Sequence, residues 1–472
     1  MRRLILLALT SGLLSACAIG PDYQRDTPPL PDAWRLDAEA HKPALDARWW
    51  TRFDDPVLDA LIAAAEQHNQ DLRLAVARVD EARALAGIAQ ADLLPSLNAS
   101  AQGSRARGST VGLQPVPGRP IVEDKQAAAT LSFELDLWGK LRRANEAAQA
   151  SLLSSQANRD AVRLTLLAQV AQGYFSLRAL DEQFSLAEST LATRQQALLL
   201  QEKRFKGGIT SELDYRQAQA EAAVAAAAVP ALAQQAQQAE SALAVLVGRS
   251  PRDIVAGGLP RGKAIGALTA PPAVPAGLPS SLLTRRPDLQ AAEQNLVAAN
   301  ARIGVARAAF LPSISLTGLL GSESVALNNL FNGPAATWSF AANLAMPLFD
   351  FGKTAAGVDA ASARQRQALA QYQLAIQTAF KEAQDALVAH RKTREAAEAR
   401  ATQVGALKRS LRLARLRYDN GYSSYLEVLD AERGLFQAEL DAIDAQRQRL
   451  SATVELYKAL GGGWQADKAD KS

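Results

Sequence analysis

The sequence predicts a mostly α-helical protein with a smaller β-sheet portion, built from two copies of one repeat. Three observations predict this fold class. Motifs of the first half recur in the second half, long stretches without proline are rich in helix-forming residues, and two pairs of shorter segments alternate between apolar and polar residues. Each half is therefore expected to run as helix, strand, strand, very long helix, turn and helix.

The start of the 472-residue chain has the pattern of a secretory signal. Two arginines precede an apolar run over residues 4–14, which is shorter than the roughly 20 residues of a membrane-spanning helix. Small residues then lead to Cys17 in a pattern that resembles a bacterial lipobox. The resemblance implies that residues 1–16 are a lipoprotein signal peptide and that Cys17 is lipidated, for example by palmitate, at the head of an extended segment 17–56. The alternative is a chance cysteine or a free thiol.

Composition excludes several other classes of protein. A single cysteine permits no internal disulfide and no cysteine metal cluster. The net charge of +4 falls to +2 without the two signal arginines, which gives no reason to expect nucleic acid binding. The histidines His41, His68 and His390 lack metal-ligand spacing, and neither a phosphate-binding loop nor a nucleophile motif is present. We therefore predict no enzyme activity, no cofactor and no metal site.

The internal duplication is visible in ordered pairs of motifs. These pairs are Leu94-Pro95-Ser96 with Leu311-Pro312-Ser313, Gly87 with Gly304, Leu137-Trp138-Gly139-Lys140 with Asp350-Phe351-Gly352-Lys353, and Arg204-Phe205-Lys206-Gly207-Gly208 with Arg417-Tyr418-Asp419-Asn420-Gly421. The offset is 217 residues for the first two pairs and 213 for the others, as expected for a loop-length difference. The predicted repeats are 57–249 and 280–462, joined by a linker rich in proline and glycine at 250–279 and followed by a flexible tail at 463–472.

Two kinds of helix are expected in each repeat. Residues 57–94 form the first helix, which Pro95 ends. Residues 139–205 also lack proline and would make a helix on the order of 100 Å long. Apolar residues recur in it at intervals of seven, the spacing of a left-handed coiled coil, at Val170, Leu177, Phe184, Leu191, Leu198 and Phe205.

Strict alternation predicts four strands with one apolar and one polar face. The apolar faces comprise Leu97, Ala99 and Ala101; Ala127, Ala129, Leu131, Phe133, Leu135 and Leu137; Ile314, Leu316 and Leu320; and Trp338, Phe340, Ala342, Leu344, Met346 and Leu348. Runs of roughly ten residues with aromatics near one end suit membrane-crossing strands, and an ordinary half-buried sheet would show the same alternation. After the signal no apolar run is long enough for a membrane helix, so membrane crossing would require a closed sheet.

The strand count has a consequence for assembly. Membrane barrels begin at about eight strands, and four strands leave open edges whose backbone groups lipid cannot satisfy. If the strands cross a membrane, several copies of the chain must pool them. Two copies would supply about eight strands and three about twelve, and strand counting does not choose between them.

Over nearly its full length the chain resembles the TolC-like outer membrane factors, in particular the lipoprotein branch that works with resistance-nodulation-division pumps. The likeness is carried by Cys17 with Gly20-Pro21-Asp22-Tyr23 after it, by the paired Leu-Pro-Ser steps and Gly-Lys helix starts, and by the segment 425–433. It implies a homotrimer, with a twelve-stranded transmembrane β-barrel in the outer membrane and a long periplasmic α-helical barrel. It also implies a periplasmic adaptor and an inner-membrane pump as partners.

The resemblance places a periplasmic gate at the second helical turn, with Tyr418, Leu426, Asp430 and Arg433 as its residues. Leu426 and Asp430 are four residues apart and Asp430 and Arg433 three apart, so they share one helical face. In a symmetric assembly the leucine would form an apolar ring and the aspartate an acidic ring. Asp430 and Arg433 would bond between chains, or to Tyr418, and hold the tip shut. The first repeat has glutamine and alanine in place of the aspartate and arginine. The alternative is an ordinary exposed intrahelical ion pair.

Three functions are compatible with this pattern. The first is an exit duct that passively conducts drugs or other small solutes for a tripartite efflux pump. The second is the outer membrane channel of a type I protein secretion system, with a different inner-membrane partner. The third is a soluble periplasmic coiled-coil scaffold. The strands distinguish both channels from the scaffold, and the resemblance associates the lipid anchor with the first function rather than the second.

Overall fold

The structure is a computed structural model. It describes residues 18–25, 29–32, 34, 48–109, 111, 121–271 and 279–462. The whole predicted signal 1–16, the predicted tail 463–472, and Cys17 with residues 26–28, 33 and 35–47 of the predicted lipidated segment lie outside the described residues. The chain divides into two compact units, which we call the sheet unit, Met1–Asp26, Arg78–Ser155 and Ala291–Tyr372, and the helical unit, Thr27–Ala77, Gln156–Gln290 and Gln373–Ser472.

Nine helices and four strands account for most of the described residues. In chain order they are α1 (Pro56–His68), α2 (Gln70–Ala91), β1 (Ser96–Arg107), β2 (Ile121–Leu135), α3 (Lys140–Lys206), α4 (Glu212–Leu246), α5 (Pro251–Ala256), α6 (Leu282–Arg285), α7 (Pro287–Ala308), β3 (Ser313–Ser324), β4 (Ala336–Ala345), α8 (Lys353–Asp419) and α9 (Tyr425–Ala459). Each half therefore has the predicted order, and the helices predominate. Within the described residues, no helix combines the length and the apolar character that crossing a membrane requires.

The first predicted helix, residues 57–94, is wrong as a single element. It is two helices, because Asn69 has extended backbone angles and ends α1. The Asn69 side chain accepts a hydrogen bond from the amide of Leu72 at 3.0 Å and so caps α2. The second repeat breaks at the corresponding place, where Arg286 separates α6 from Pro287 at the start of α7.

The sheet unit contains one antiparallel sheet of order β1-β2-β3-β4. The first hairpin pairs Ala99 with Ala129, and the second pairs Leu316 with Ala342. Both pairs agree with the repeat offsets, since adding 217 to 99 gives 316 and adding 213 to 129 gives 342. The two hairpins are thus in the same register.

The predicted strands extended too far at their C-terminal ends. Leu137 lies beyond β2, and Met346 and Leu348 lie beyond β4. After β2 the chain turns at Asp136, whose carboxylate accepts hydrogen bonds from two amides in the first turn of α3, at 3.0 and 2.9 Å. After β4, Pro347 has no amide hydrogen with which to continue the ladder.

The core of the helical unit is rich in aromatic residues. The Trp49 ring stacks on Tyr457 with 5.3 Å between ring centroids, and the Phe53 ring lies 5.0 Å from Phe175. The segment between the repeats joins this core, because Ile265 and Leu268 are buried in it. Aromatic rings of this size remove a large apolar area from water, so this cluster is the main hydrophobic contribution to the unit.

The apolar residues spaced by seven on α3 are buried to different degrees. Val170 and Leu177 are fully buried in the core, and Phe184, Leu191 and Leu198 are half-buried. Phe205, at the end of the series, is exposed on one side and stacks on Tyr215 of α4 at 5.7 Å. The seam therefore packs most tightly away from the turn.

Candidate functional site at the two helical turns

Two similar turns connect the long helices of the helical unit, one between α3 and α4 and one between α8 and α9. At the first, the amide of Ile209 donates to the carbonyl of Arg204 at 2.8 Å, around Gly208 with φ +71°. At the second, the amide of Tyr422 donates to the carbonyl of Arg417 at 2.8 Å, around a glycine with φ +76°. Both are Schellman motifs, in which a left-handed glycine lets the last carbonyls of a helix find partners. The duplicated glycines therefore specify the same turn twice.

An apolar cluster holds the four helices together next to these turns. Its buried members are Ala218, Tyr425, Val428 and Leu429, with Leu198, Leu411, Ala414 and Tyr418 packed against them. These residues come from α3, α4, α8 and α9, so each of the four helices contributes to it. The two turns are fixed beside each other by this packing.

Tyr418 bonds across to the first repeat. Its hydroxyl accepts hydrogen bonds from the side chains of Gln201 and Arg204, each at 3.1 Å. The Arg204 guanidinium also lies 5.8 Å from the centre of the Tyr418 ring, within range of a cation–π attraction. The Tyr418 ring also lies 5.4 Å from that of Tyr425, measured between ring centroids. The predicted pairing of Tyr418 with Arg433 or Asp430 is not among these contacts.

Arg433 also bonds mainly to the first repeat. Its Nε and Nη2 atoms each lie 2.6 Å from Oε1 of Glu221 on α4. The other carboxylate oxygen of Glu221 accepts from Nη1 of Arg194 on α3, again at 2.6 Å. Glu221 and Arg194 are buried, with 8% and 5% of their side chains exposed, and Arg433 is half-exposed. We call this the Arg194–Glu221–Arg433 bridge. The hydrogen bonds to Glu221 raise the pKa of Arg433.

Leu426 and Asp430 lie on the exposed side of α9. The Asp430 side chain is 66% exposed, and its closest oxygen lies 3.4 Å from Arg433. This contact is weaker than the 2.6 Å bonds that Arg433 makes to Glu221. Leu426 is likewise exposed. The four predicted gate residues therefore divide into two pairs: Tyr418 and Arg433 bond to the first repeat, whereas Leu426 and Asp430 face outward from the chain.

Glu221 and Arg194 were not among the residues predicted from the sequence, and Arg204 was predicted only as part of the duplicated turn motif. Comparison of the repeats did not suggest Glu221 as a partner of Arg433, because the residue that corresponds to Arg433 in the first repeat is the uncharged Ala220. One signal was present: Glu221 is a lone charged residue within an alanine-rich run of α4, where small side chains allow close contact with other helices. A charge on such a face needs a partner. Among the described residues, no cluster of three or more histidine, cysteine, aspartate or glutamate side chains could hold a metal ion.

Comparison with known proteins identifies the class of this architecture. The family model for outer membrane efflux protein matches residues 61–249 and 278–462. The solvent efflux pump outer membrane protein SrpC of Pseudomonas putida is 37% identical over 461 residues, which cover 96% of each chain. The cation efflux system protein CusC of Escherichia coli is 36% identical over 457 residues, which cover 96% of this chain and 97% of CusC.

A solved structure agrees with these relatives. The CmeC outer membrane channel of Campylobacter jejuni has a TM-score of 0.90 and 28% identity to this chain, covering 95% of it and 96% of CmeC. The matches extend over both repeats and nearly the whole of each relative. Efflux conduits of this kind transport solutes rather than catalyse reactions. The chain belongs to the outer membrane efflux protein family and is a channel component of an efflux pump in the outer membrane.

Proposed function

We propose that the chain is the passive exit duct of a tripartite efflux pump, conducting drugs or other small solutes from the periplasm to the outside. The observation that carries the proposal is the full-length similarity to outer membrane proteins of pumps named for solvents and for cations, at 36–37% identity. Two cargoes so different in chemistry share one kind of duct. We therefore assign cargo selection and the driving energy to the partners, an inner-membrane pump of the resistance-nodulation-division class and a periplasmic adaptor.

Cys17 is the proposed lipid anchor of the duct in the outer membrane. The lipobox pattern supports this assignment, and replacement of Cys17 by serine should abolish incorporation of radioactive palmitate. In cells that lack the chain, export of a fluorescent dye by the cognate pump should fall, and expression of the chain should restore it. If dye export is unchanged while a protein substrate disappears from the medium, the chain is instead the duct of a type I secretion system.

Three copies of the chain are proposed to pool their strands into one twelve-stranded barrel. The repeat offsets supply an argument for how the copies meet. Within the chain, Leu131 of β2 pairs with Gly318 of β3. Moving each residue to its repeat counterpart gives Leu344 of β4, since 131 plus 213 is 344, and Ala101 of β1, since 318 minus 217 is 101. Leu344 of one copy is therefore expected opposite Ala101 of the next.

Paired cysteines test this register between copies. The double variant Leu344→Cys with Ala101→Cys should form a disulfide-linked oligomer in a non-reducing gel after mild oxidation. The matched control is Leu344→Cys with Gly103→Cys, which moves one cysteine two residues along the same face of the strand. Two residues separate Cα atoms by about 6.6 Å, too far for disulfide geometry without movement. Equal cross-linking of both variants, or of neither in an intact oligomer, would contradict the register.

The gate is proposed at the second turn, with Leu426 and Asp430 forming rings between copies. Their exposed positions on α9 leave them free to meet other copies. Tyr418 and Arg433 would then hold α8 and α9 against the first repeat through the bonds to Arg204 and Glu221. Opening the duct requires these helices to move apart, so the bonds within the chain oppose opening.

A further inference from the structure

The motif Gly20-Pro21-Asp22-Tyr23 has no part in the proposed conduction or gating. In the structure it lies in the sheet unit against α3 and α7. Each of its residues has a partner there: Gly20 approaches Gly304, the Pro21 carbonyl accepts a hydrogen bond from Asn300 at 2.7 Å, Asp22 accepts from Arg143 at 2.5 Å, and Tyr23 donates to Glu293 at 3.1 Å. The motif is therefore a set of contact residues.

Two glycines allow the backbone of this segment to lie directly on α7. A Cβ atom on Gly20 would lie 2.6 Å from the Cα atom of Gly304, and a Cβ on Gly304 would lie 2.5 Å from the carbonyl oxygen of Ile19. A Cβ atom does not come that close to a carbon or oxygen atom to which it is not bonded, so side chains at these positions would push the segment away. Gly20 also has φ +121°, a conformation that favours glycine.

The segment supplies bonding partners for two buried charged side chains on the helices. Glu293 on α7 is 7% exposed, and its two oxygens accept hydrogen bonds from Arg25 at 2.5 and 2.6 Å. Arg143 on α3 is 8% exposed and binds Asp22, and it also binds Glu146 of its own helix. Buried charges are stable only with partners, and bidentate pairing with an arginine is the strongest form of such a bond. The helices thus carry a polar site that residues 18–25 fill.

This site occurs only once in the described chain, although the fold is duplicated. The repeat counterpart of Gly304 is Gly87, and a Cβ on Gly87 would meet nothing within 4 Å. Two of the other site residues have apolar counterparts, since Glu293 corresponds to Val76 and Arg143 to Ala356. The counterpart of Asn300 is Arg83, whose guanidinium bonds to Asp80 of its own helix. The polar residues are therefore a feature of one repeat only, not a by-product of the common fold.

We propose that residues 18–25 are a docking segment that fixes the lipid-bearing end of the chain where β2 passes into α3. At that point the amide of Ile19 donates to the carbonyl of Trp138 at 3.0 Å, and Ala18 lies against Gly139. The proposal rests on the proposed lipid anchor at Cys17, the residue before Ala18. Because the acyl chains must enter the membrane, docking holds this end of the sheet at the membrane surface, which a loose tether would not do.

Valine substitution at the paired glycines tests docking. In full-length protein carrying radioactive palmitate, trypsin cleavage after Arg25 should be at least about tenfold faster for Gly304→Val than for the unmodified chain, the ratio expected from losing one charged hydrogen bond. The matched control Gly87→Val carries the same β-branched residue at the counterpart position of α2 and should be cleaved at the unmodified rate. Cleavage is measured as the appearance of a new N-terminus at residue 26.

A second pair of variants avoids added bulk. Glu293→Gln should also accelerate cleavage after Arg25, whereas Glu146→Gln, which removes the other partner of Arg143, should not. The share of heat-modifiable oligomer in outer membranes should fall for Gly304→Val and Glu293→Gln, with palmitate incorporation unchanged. If both are cleaved no faster than their controls, docking is wrong. Absence of palmitate from the unmodified chain would instead overturn the lipid anchor, and with it the role assigned to docking.

Discussion

The substitution Glu221→Gln tests the Arg194–Glu221–Arg433 bridge at the candidate gate. It keeps the shape of the side chain and removes the charge that two guanidinium groups share. Removing one partner of a buried ion pair costs about 3–5 kcal/mol, because the remaining charge is left without compensation. Arg194 is buried and bears this cost, whereas water can solvate the half-exposed Arg433. The expected cost of the substitution is therefore at the lower end of that range, about 3 kcal/mol.

Hydrogen exchange measures this loss locally. A cost of about 3 kcal/mol corresponds to roughly a hundredfold increase in the opening equilibrium, so amides of α3 and α4 near residues 194 and 221 should exchange about a hundredfold faster. The matched comparison is Asp430→Asn. Asp430 also contacts Arg433, but it is exposed and the contact is long, at 3.4 Å. An exposed pair of this kind contributes about 0.3–0.5 kcal/mol, or roughly a twofold change. Similar exchange in the two variants would refute the bridge.

Single-channel conductance in planar bilayers tests the gate itself. Glu221→Gln, Asp430→Ala and Arg433→Ala should each raise conductance, because the first and third loosen the hold on α9 and the second removes a charge from the proposed ring. Hydrogen exchange reports whether the bridge stabilises the helices, and conductance reports whether these residues gate the duct. Faster exchange with unchanged conductance in all three variants would retain the bridge as a stabilising contact and reject the gate.

Two further predictions concern the ends of the helices and the segment between the repeats. Gly248→Ala should lower the thermal stability of the oligomer more than Gly208→Ala. Both glycines have φ near +70°, a backbone conformation that costs alanine about 1 kcal/mol. A Cβ on Gly248 would in addition collide with the carbonyl of His68, whereas a Cβ on Gly208 would meet nothing within 4 Å. Hydrogen bonds from Arg261 lower the pKa of Glu240 to about 2, so the docking of this segment on α4 is fully stabilised above pH 4.5 and weakens as pH falls toward 2. Pepsin cleavage near residue 259 should rise over that range, and Glu240→Gln should be cleaved readily throughout; equal cleavage of both chains at every pH would contradict this pairing.

The agreement between sequence and structure is closest where the determinants are local. The duplicated glycines predicted both helical turns, and the prolines and the alternation predicted four strands, two in each half. The errors have local causes as well. Asn69 divided the first helix through a side-chain cap, and the Asp136 cap and Pro347 ended two strands early. Capping side chains are short polar residues that also occur within helices, so their positions alone did not reveal the breaks.

At the candidate gate the sequence supplied residues and the fold supplied partners. Arg433 was expected to bond between chains or to Tyr418, with an intrahelical pair with Asp430 as the alternative. In the structure its strongest bond is to Glu221, 212 residues away. The chain has 52 lysine and arginine and 48 aspartate and glutamate residues, so a great many opposite-charge pairs are conceivable. Only the packing of α4 against α9 selects this one.

By itself the sequence determined the duplication, the order and type of the elements and the membership of a family, because these depend on periodicity, turn residues and motifs that neighbours along the chain define. The tertiary structure decided which distant charges meet, and it gave the Gly20-Pro21-Asp22-Tyr23 motif its contacts on α3 and α7. The physical reason is that a buried charge takes its partner from whatever the fold brings within about 3 Å, and that distance bears no relation to separation along the chain.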